Sequence, residues 1–227
     1  MSEANPFFDM HEHGFVRVAT ATPCSRPADV AYNTAGVLAE AHKAHNAHVD
    51  LVVFPELTLS SYAIDDLLLQ HALIERVEQA LAEVVAASAD LHPVLIVGAP
   101  LRRADKLYNC AVVIAHGQIL GVVPKSFLPN YREFYEKRHF AHGRGCTDLW
   151  IGVAGEEVPF GTDLVFAAAA FFAATHLQPL QFPALLLFGV ILGFMAWRSG
   201  RIGPAIWAHV GFNVVAAAGL LFQFGPT

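Results

Sequence analysis

The chain has 227 residues, of which 55% are hydrophobic, and a formal net charge of −6. All 20 acidic residues lie at or before Asp163, and residues 164–227 carry only Arg198 and Arg201 as charged side chains. The first 163 residues therefore hold 12 Lys and Arg against 20 Asp and Glu, a balance that argues against nucleic acid as a partner. The rest has the composition of membrane helices, so one globular fold does not account for both parts.

The first part alternates between strand and helix patterns. Residues 15–22 form a strand-like run that Pro23 closes, and residues 29–47 place apolar side chains at helical spacing. Residues 49–54 are almost continuously apolar and stop at Pro55, which is typical of a strand buried on both faces. This order predicts a sheet with helices packed against it.

The pattern continues with a second apolar stripe at helical spacing over residues 73–85 and a second buried strand over residues 93–99. Two further strand-like runs, 107–115 and 118–123, flank His116-Gly117, and a connection of two residues favours a β-hairpin. We therefore predict the α/β class for this part.

Two charged residues stand where predicted strands end. Glu56 follows the apolar run of residues 49–54, and Lys125 follows the run that ends near Val123. The carboxyl ends of strands are where α/β sheets usually place their chemistry. The alternatives are that Glu56 caps a nearby backbone group and that residues 121–140 form an exposed amphipathic segment.

Six segments, taken together and in order, resemble the carbon-nitrogen hydrolase (nitrilase) family, and more closely the glutamine-hydrolysing domain of bacterial glutamine-dependent NAD synthetases. The resemblance covers about residues 12–166 and implies an αββα sandwich. The segments are HGFVRVA (13–19), FPELTLSSY (54–62), VGAPL (97–101), LYNCAVVI (107–114), GVVPKSFLPNYREFYEKR (121–138) and FGTDLVF (160–166).

The resemblance implies a role for five residues. Glu56 matches the general base, Lys125 the lysine that stabilises an oxyanion, and Glu133 the second glutamate that supports both. Tyr62 and Tyr131 match positions that shape the substrate pocket. The implied substrate is glutamine, and the implied chemistry needs no cofactor.

The nucleophilic cysteine of the family has no match in this chain. Cys24, Cys110 and Cys146 do not follow a strand end as that cysteine does, and the ATP-using synthetase domain is also missing. Without a thiolate the glutamate and the lysine have nothing to activate. We therefore expect neither efficient glutamine hydrolysis nor NAD synthesis from this chain alone.

The apolar remainder predicts two or three transmembrane helices. Its apolar blocks are residues 164–175, 182–197 and 202–224, and only the last clearly reaches the length of a full span. The two arginines in the link before the last block favour a cytoplasmic position for that link. We thus expect a truncated hydrolase domain over residues 1–166 in the cytoplasm and a membrane segment over residues 167–227 in contact with lipid.

One histidine directly follows the first apolar block, and another lies within the last block. His176 ends an F-x-x-x-H pattern, and His209 and Asn213 are one helical turn apart. Polar groups at such depth are functional by default, although hydrogen bonding between helices is the alternative. In this order they resemble the C-terminal part of the CPBP family of intramembrane metalloproteases, over about residues 169–221, which implies zinc bound by His176, His209 and Asn213.

The carboxylate pair that this second family needs is not matched. The only adjacent glutamates are Glu156-Glu157, and Gly161 stands where the family has arginine. Three functions therefore stay open: an inactive glutaminase-like domain, a fragment of a CPBP-type protease, and a non-catalytic membrane-tethered fusion or assembly artefact. Because nitrilase-type domains commonly pair, the first resemblance also implies a homo-oligomer.

Overall fold

The computed structural model describes residues 15–164, and these form one sheet of seven strands together with two α-helices and two 3-10 helices. The elements in chain order are β1 (Val18–Thr20), α1 (Val30–Asn46), β2 (Leu51–Val53), a 3-10 helix (Asp65–Leu69), α2 (His71–Ser88), β3 (Val94–Arg103), β4 (Lys106–Ala115), β5 (Gln118–Pro124), a 3-10 helix (Glu136–Arg138), β6 (Leu149–Val153) and β7 (Glu156–Phe160).

The strand order is β1-β2-β3-β4-β5-β7-β6. Strands β1, β2 and β3 run parallel, whereas β4 is antiparallel to both β3 and β5. Because the direction reverses twice between β3 and β5, β2 and β5 run the same way. Their carboxyl ends, which precede Glu56 and Lys125, therefore meet at one edge of the sheet.

The two helices confirm the predicted periodicity. Helix α1 spans Val30–Asn46 against a predicted 29–47, and the side chain of Asp29 caps it by accepting a hydrogen bond from the backbone N–H of Tyr32 at 3.1 Å. Helix α2 buries the stripe that contains Val77 and Leu81, both fully buried. Burying a side chain such as Leu81 stabilises the fold by roughly 1.5–3 kcal/mol.

The predicted hairpin at His116-Gly117 is confirmed. Ala115 pairs with Gln118, and φ is 49° at His116 and 77° at Gly117. Positive φ at both central residues is the twist that two-residue hairpins prefer. The backbone N–H of Gly117 also donates to Ser88 Oγ at 2.9 Å, which ties this turn to the end of α2.

Two apolar clusters hold these elements together. The larger joins α1, α2 and alternate residues of the strands, with Val37, Val97 and Val112 fully buried. The smaller contains Leu57, Ile64, Leu68, Ile74, Leu107 and Phe140. The smaller cluster fixes the chain that follows Glu56 against the start of β4 and the end of the second 3-10 helix.

The last two strands were not predicted as separate elements. β6 and β7 form a hairpin whose turn, Ala154-Gly155, has φ of 52° and 82°. β7 also pairs with β5, through Val122 and Phe160. The paired acids Glu156-Glu157 thus lie on a strand of the sheet.

The predicted membrane segment, residues 167–227, lies outside the described residues, and so do the helices predicted within it and the histidines at 176 and 209. We refer to this segment as the tail. Within residues 15–164, no helix is both long enough and apolar enough to cross a membrane. The described part has a mixed α/β fold with one sheet of the sandwich that the sequence predicts.

Candidate active site

Glu56 stands in a turn that lies directly on β3. A Cβ atom built on Gly98 would be only 2.5 Å from the carbonyl oxygen of Pro55 and 2.5 Å from the backbone nitrogen of Leu57. Leu57 itself has a left-handed backbone, with φ of 51°. The missing side chain at Gly98 therefore allows the chain to turn sharply after β2, which places Glu56 over the edge of the sheet.

Lys125 is fixed by its backbone on both sides. Its N–H donates to the carbonyl of Asn109 at 2.8 Å, and its carbonyl accepts from the N–H of Gly143 at 2.8 Å. Both bonds continue the direction of β5 past Pro124. Lys125 is thus held just after the end of β5, at the edge of the sheet where Glu56 lies.

The ammonium group of Lys125 joins two carboxylates. Nζ is 2.6 Å from Oε1 of Glu56 and 2.8 Å from Oε1 of Glu136. The amide of Asn109 also donates to Oε1 of Glu56. The Lys125 ammonium therefore holds together two glutamates that are 80 residues apart in the chain.

The structure brings Glu136 into contact with Lys125, whereas the sequence-based prediction had named Glu133 as the second glutamate. Glu133, the predicted residue, is exposed, whereas the side chain of Glu136 is 5% exposed and contacts Lys125. The N–H of Glu136 donates to the carbonyl of Pro129 at 3.2 Å, and this bond turns the start of the 3-10 helix inward. The segment between has no regular period, so its sequence does not tell which glutamate points inward.

The two predicted pocket tyrosines lie on either side of Phe134. The rings of Tyr62 and Phe134 are 6.4 Å apart and those of Tyr131 and Phe134 are 5.8 Å apart, both edge to face. The hydroxyl of Tyr62 donates to Oε1 of Glu136 at 2.6 Å. Burial and this bond to Glu136 raise the pKa of Tyr62, so it remains a donor at neutral pH.

The charge of Lys125 is stabilised by its neighbours. Burial acts to lower the pKa of Lys125, but its hydrogen bonds with Glu136 and then Glu56 outweigh burial, and the pKa stands above its ordinary value. A protonated lysine beside a carboxylate can stabilise a developing oxyanion while the carboxylate accepts a proton. These are the two polar functions that amide hydrolysis requires.

None of the three cysteines joins this group. Successive residues of a strand point to opposite faces, so Cys110 points away from Glu56, which its neighbour Asn109 contacts. Cys110 and Cys146 are both buried in the larger apolar cluster, and burial raises the pKa of the Cys110 thiol. Cys24 is exposed beyond β1. No thiolate in residues 15–164 therefore contacts Glu56 or Lys125.

Two residues near the site were missed by sequence reasoning. Asn109 is 3% exposed and lies in the mostly apolar strand β4, which was a usable signal. Asp66 gave no signal, because its partners are 72 and 73 residues away. Its carboxylate accepts two hydrogen bonds from Arg138, at 2.8 and 2.7 Å, and lies 2.9 Å from the ring of His139.

The contacts of Asp66 join the chain segment that follows Glu56 to the segment that follows Glu136. Asp66 is on the 3-10 helix that follows the Glu56 segment, and Arg138 and His139 follow Glu136 directly. Hydrogen bonds from Arg138 and then His139 hold the pKa of Asp66 well below its usual range. The Asp66 contacts therefore hold the 3-10 helix of Glu136 against the segment that carries Glu56.

We predict that Asp66→Asn loosens the 3-10 helix Glu136–Arg138 by a small amount that depends on pH. Because the folded-state pKa of Asp66 is depressed, its contribution is present above the unfolded value of about 3.9 and is lost as pH falls through the folded value. Amide hydrogen exchange of residues 131–140 should rise in the variant at neutral pH, and the difference should shrink in acid and in high salt. The same change at exposed Asp105 is the control, and an equal rise there would contradict the prediction.

The comparison with known protein families agrees with the fold and with the contacts among Glu56, Lys125 and Glu136. Residues 17–173 match the carbon-nitrogen hydrolase family. The chain belongs to the carbon-nitrogen hydrolase family.

Relatives of known name within this family include glutamine-dependent NAD(+) synthetases. The chain is 54% identical over 163 residues to the glutamine-dependent NAD(+) synthetase of Mycobacterium bovis. The aligned region covers 72% of this chain and 24% of that protein. A solved glutamine-dependent NAD(+) synthetase from Cytophaga hutchinsonii superposes with a TM-score of 0.60 and 28% identity, over 64% of this chain and 25% of that one. The chain thus spans about a quarter of the length of the NAD synthetases that it matches.

Two further matches bear on the fold and on the tail. An amidase from Nesterenkonia sp. superposes with a TM-score of 0.52 at 20% identity, over 63% of this chain and 54% of that one, and so supports the fold alone. Residues 151–215 match a second family, type II CAAX prenyl endopeptidase Rce1-like. That match begins within β6, so its first residues belong to the sheet described above.

Proposed function

We propose that residues 1–166 are a glutaminase-like domain whose polar catalytic group is assembled and whose nucleophile is absent. The observation that carries the proposal is the contact of Lys125 Nζ with both Glu56 and Glu136, at 2.6 and 2.8 Å. The relatives that share this region are named for their use of glutamine. Glutamine is accordingly the proposed ligand.

Each residue of the group has a proposed role in the reaction of the family. Glu56 accepts a proton, Lys125 stabilises the oxyanion that forms on the amide carbonyl, and Glu136 orients Lys125. Tyr62 and Tyr131 border the bound substrate. In this proposal Glu136 takes the role that the sequence alone assigned to Glu133.

Without a thiol at the site, this chain is proposed to bind glutamine and not to hydrolyse it. Acyl transfer by this family needs a nucleophile that Glu56 activates, and no cysteine in the described residues contacts Glu56. Loss of the nucleophile from such a group costs several orders of magnitude in rate. No ammonia release above that of a Glu56→Gln variant is the expected result for the full-length chain.

Protection of Lys125 from acylation tests glutamine binding directly. The amine of Lys125 is labelled with acetic anhydride on the full-length chain, and the modified peptide is quantified by mass spectrometry. Glutamine should slow this labelling several-fold, because its carbonyl would occupy the position next to Nζ. Asparagine, one methylene shorter, is the ligand control.

A variant and a reference lysine complete this experiment. Tyr131→Ala should weaken the protection, because Tyr131 borders the proposed substrate. Since Tyr131 is 64% exposed, we expect its replacement to change the stability of the fold little. Labelling of Lys43, on the surface of α1, should not respond to glutamine. Equal labelling of Lys125 with and without millimolar glutamine would show that the proposed substrate is wrong.

A second candidate function, that of a CPBP-type metalloprotease fragment, is favoured by the Rce1-like match over residues 151–215. In this proposal His176, His209 and Asn213, which lie outside the described residues, hold zinc. Such a site would lack the carboxylate base, because Glu156-Glu157 lie on β7 of the sheet. Zinc-dependent cleavage of a prenylated peptide that His176→Ala abolishes would favour this candidate, and its absence would count against it.

Two further proposals concern the location of the chain and its assembly. We place the glutaminase-like domain in the cytoplasm and residues 167–227 in a lipid bilayer, with self-association of the chain through the hydrolase domain. The third reading, a membrane-tethered fusion without catalysis, shares this placement. Carbonate extraction of membranes followed by detergent solubilisation tests it, and recovery of the full-length chain in the aqueous fraction would contradict it.

A further inference from the structure

An open hollow of about 460 Å³ lies beside the chain segments that carry Lys125 and Glu136. Its wall includes Ser126 and Lys137, the residues that directly follow Lys125 and Glu136 in the chain. Among the described residues, its lining contains none of the side chains assigned to the active site. The hollow therefore has a lining different from that of the active site.

Its wall is strongly cationic. Lys106 at the start of β4, Lys137 in the second 3-10 helix and Arg144 in the following turn all line it, and His142 adds a fourth nitrogen-bearing side chain. No Asp or Glu is among the residues that line it within the part of the chain that the structure describes. Three formal positive charges thus line one hollow in a chain whose formal net charge is −6.

Among residues 15–164, these cations differ from their neighbours in having no carboxylate partner. Lys125 and Arg138, from the same stretch of chain, each form an ion pair at 2.6 to 2.8 Å. Within residues 15–164, none of Lys106, Lys137 and Arg144 has a carboxylate oxygen within ion-pair distance. Unpaired like charges repel one another, and a bound anion would relieve that repulsion.

One side of the hollow is aromatic. The ring of Phe127 is 74% exposed, and the guanidinium of Arg144 stands over it at 5.0 Å from its centre. Leu128 and the buried Phe140 continue the apolar wall. A flat ring could stack on the exposed part of Phe127 while a charged group reached the cations.

We propose that this hollow binds a small molecule that carries two or more negative charges next to an aromatic ring. The cations supply attraction and orientation, and Phe127 supplies the stacking surface. The proposal concerns a second site and does not depend on the glutaminase-like function. It requires no substrate at Lys125.

Phenyl phosphate is the probe that tests the proposal. Inorganic phosphate tests the attraction by the cations alone, and phenol tests stacking on Phe127 alone. The full-length chain is titrated with each compound by isothermal calorimetry in one non-ionic detergent. Phenyl phosphate should bind saturably, inorganic phosphate should bind more weakly, and phenol should not saturate. Because the attraction is electrostatic, the affinity for phenyl phosphate should fall as salt is raised.

Three variants assign the binding to the hollow. Replacing Lys106, Lys137 and Arg144 together by Gln should weaken phenyl phosphate binding at least roughly tenfold. The matched control replaces Arg26, Arg76 and Arg102 by Gln, which removes the same charge elsewhere and should leave the affinity unchanged. Phe127→Ala should weaken phenyl phosphate and not inorganic phosphate. Hydrogen exchange of β4 and β5 shows that each variant is folded.

The outcomes that would overturn the proposal are distinct from those that bear on the active site. Absence of saturable phenyl phosphate binding, or an equal loss in the two triple variants, would show that the cations are only solvated surface charges. An equal effect of Phe127→Ala on phosphate and phenyl phosphate would remove the aromatic part of the proposal. The protection of Lys125 by glutamine should be the same in all of these variants.

Discussion

Lys125→Met should destabilise the sheet by about 3 kcal/mol, because it leaves the side chain of Glu136, which is 5% exposed, without its cationic partner. The other oxygen of that carboxylate, Oε2, already has no hydrogen-bond partner within residues 15–164. Breaking a buried ion pair typically costs about 3–5 kcal/mol, and the 28% exposure of Lys125 places this pair at the lower end. Amide hydrogen exchange of β4 and β5 measures the change on the full-length chain.

The double variant Lys125→Met with Glu136→Gln separates the charge from the packing. Once Glu136 is neutral, most of the loss should be restored, since no unpaired charge is then buried. The control elsewhere is Arg76→Met, which breaks the exposed pair of Arg76 with Glu83 and should cost less than about 1 kcal/mol. A cost for Lys125→Met that stays the same when Glu136 is Gln would contradict the explanation.

The pH dependence of this effect has a definite sign. The folded-state pKa of Lys125 is raised, so its contribution to stability is complete below the unfolded value of about 10.4. The contribution is lost as pH rises through the folded value. The difference between the parent chain and Lys125→Met should therefore be constant near neutral pH and should shrink in strong alkali.

Gly98→Ala should have the second large effect, a loss of about 2–3 kcal/mol combined with a displaced Glu56. The new Cβ would meet two backbone atoms at 2.5 Å, the oxygen of Pro55 and the nitrogen of Leu57, and neither can rotate away as a side chain would. As Glu56 moves from Lys125, the lysine loses one of the carboxylates that raise its pKa. Lys125 should then react faster with acetic anhydride near neutral pH.

Gly152→Ala is the matched control for this substitution. Gly152 also lies in a strand, β6, and a Cβ there would have no atom within 4 Å. It should leave both the hydrogen exchange of the sheet and the labelling of Lys125 unchanged. If Gly98→Ala behaved in the same way as Gly152→Ala, the turn after β2 would not depend on close contact with β3.

Local features of the fold could be predicted from the sequence because their causes are local. Apolar spacing and the cap at Asp29 define α1, and the two-residue link His116-Gly117 defines the hairpin. Glu56 and Lys125 were found by the same means, since each follows an apolar run that proline ends. The hairpin of β6 and β7 was missed, because its strands have only five residues each and β7, with the sequence EEVPF, has no regular apolar alternation.

The sequence by itself determined the class of the fold, its helices and hairpin, and the two charged residues at strand ends. Only the tertiary structure decided that Lys125 lies between Glu56 and Glu136, that Asn109 contacts Glu56, and that Glu133 is exposed. The reason is physical: periodicity and capping act over a few residues, whereas Glu56 and Lys125 are 69 residues apart. Their meeting depends on the strand order that brings the ends of β2 and β5 to one edge.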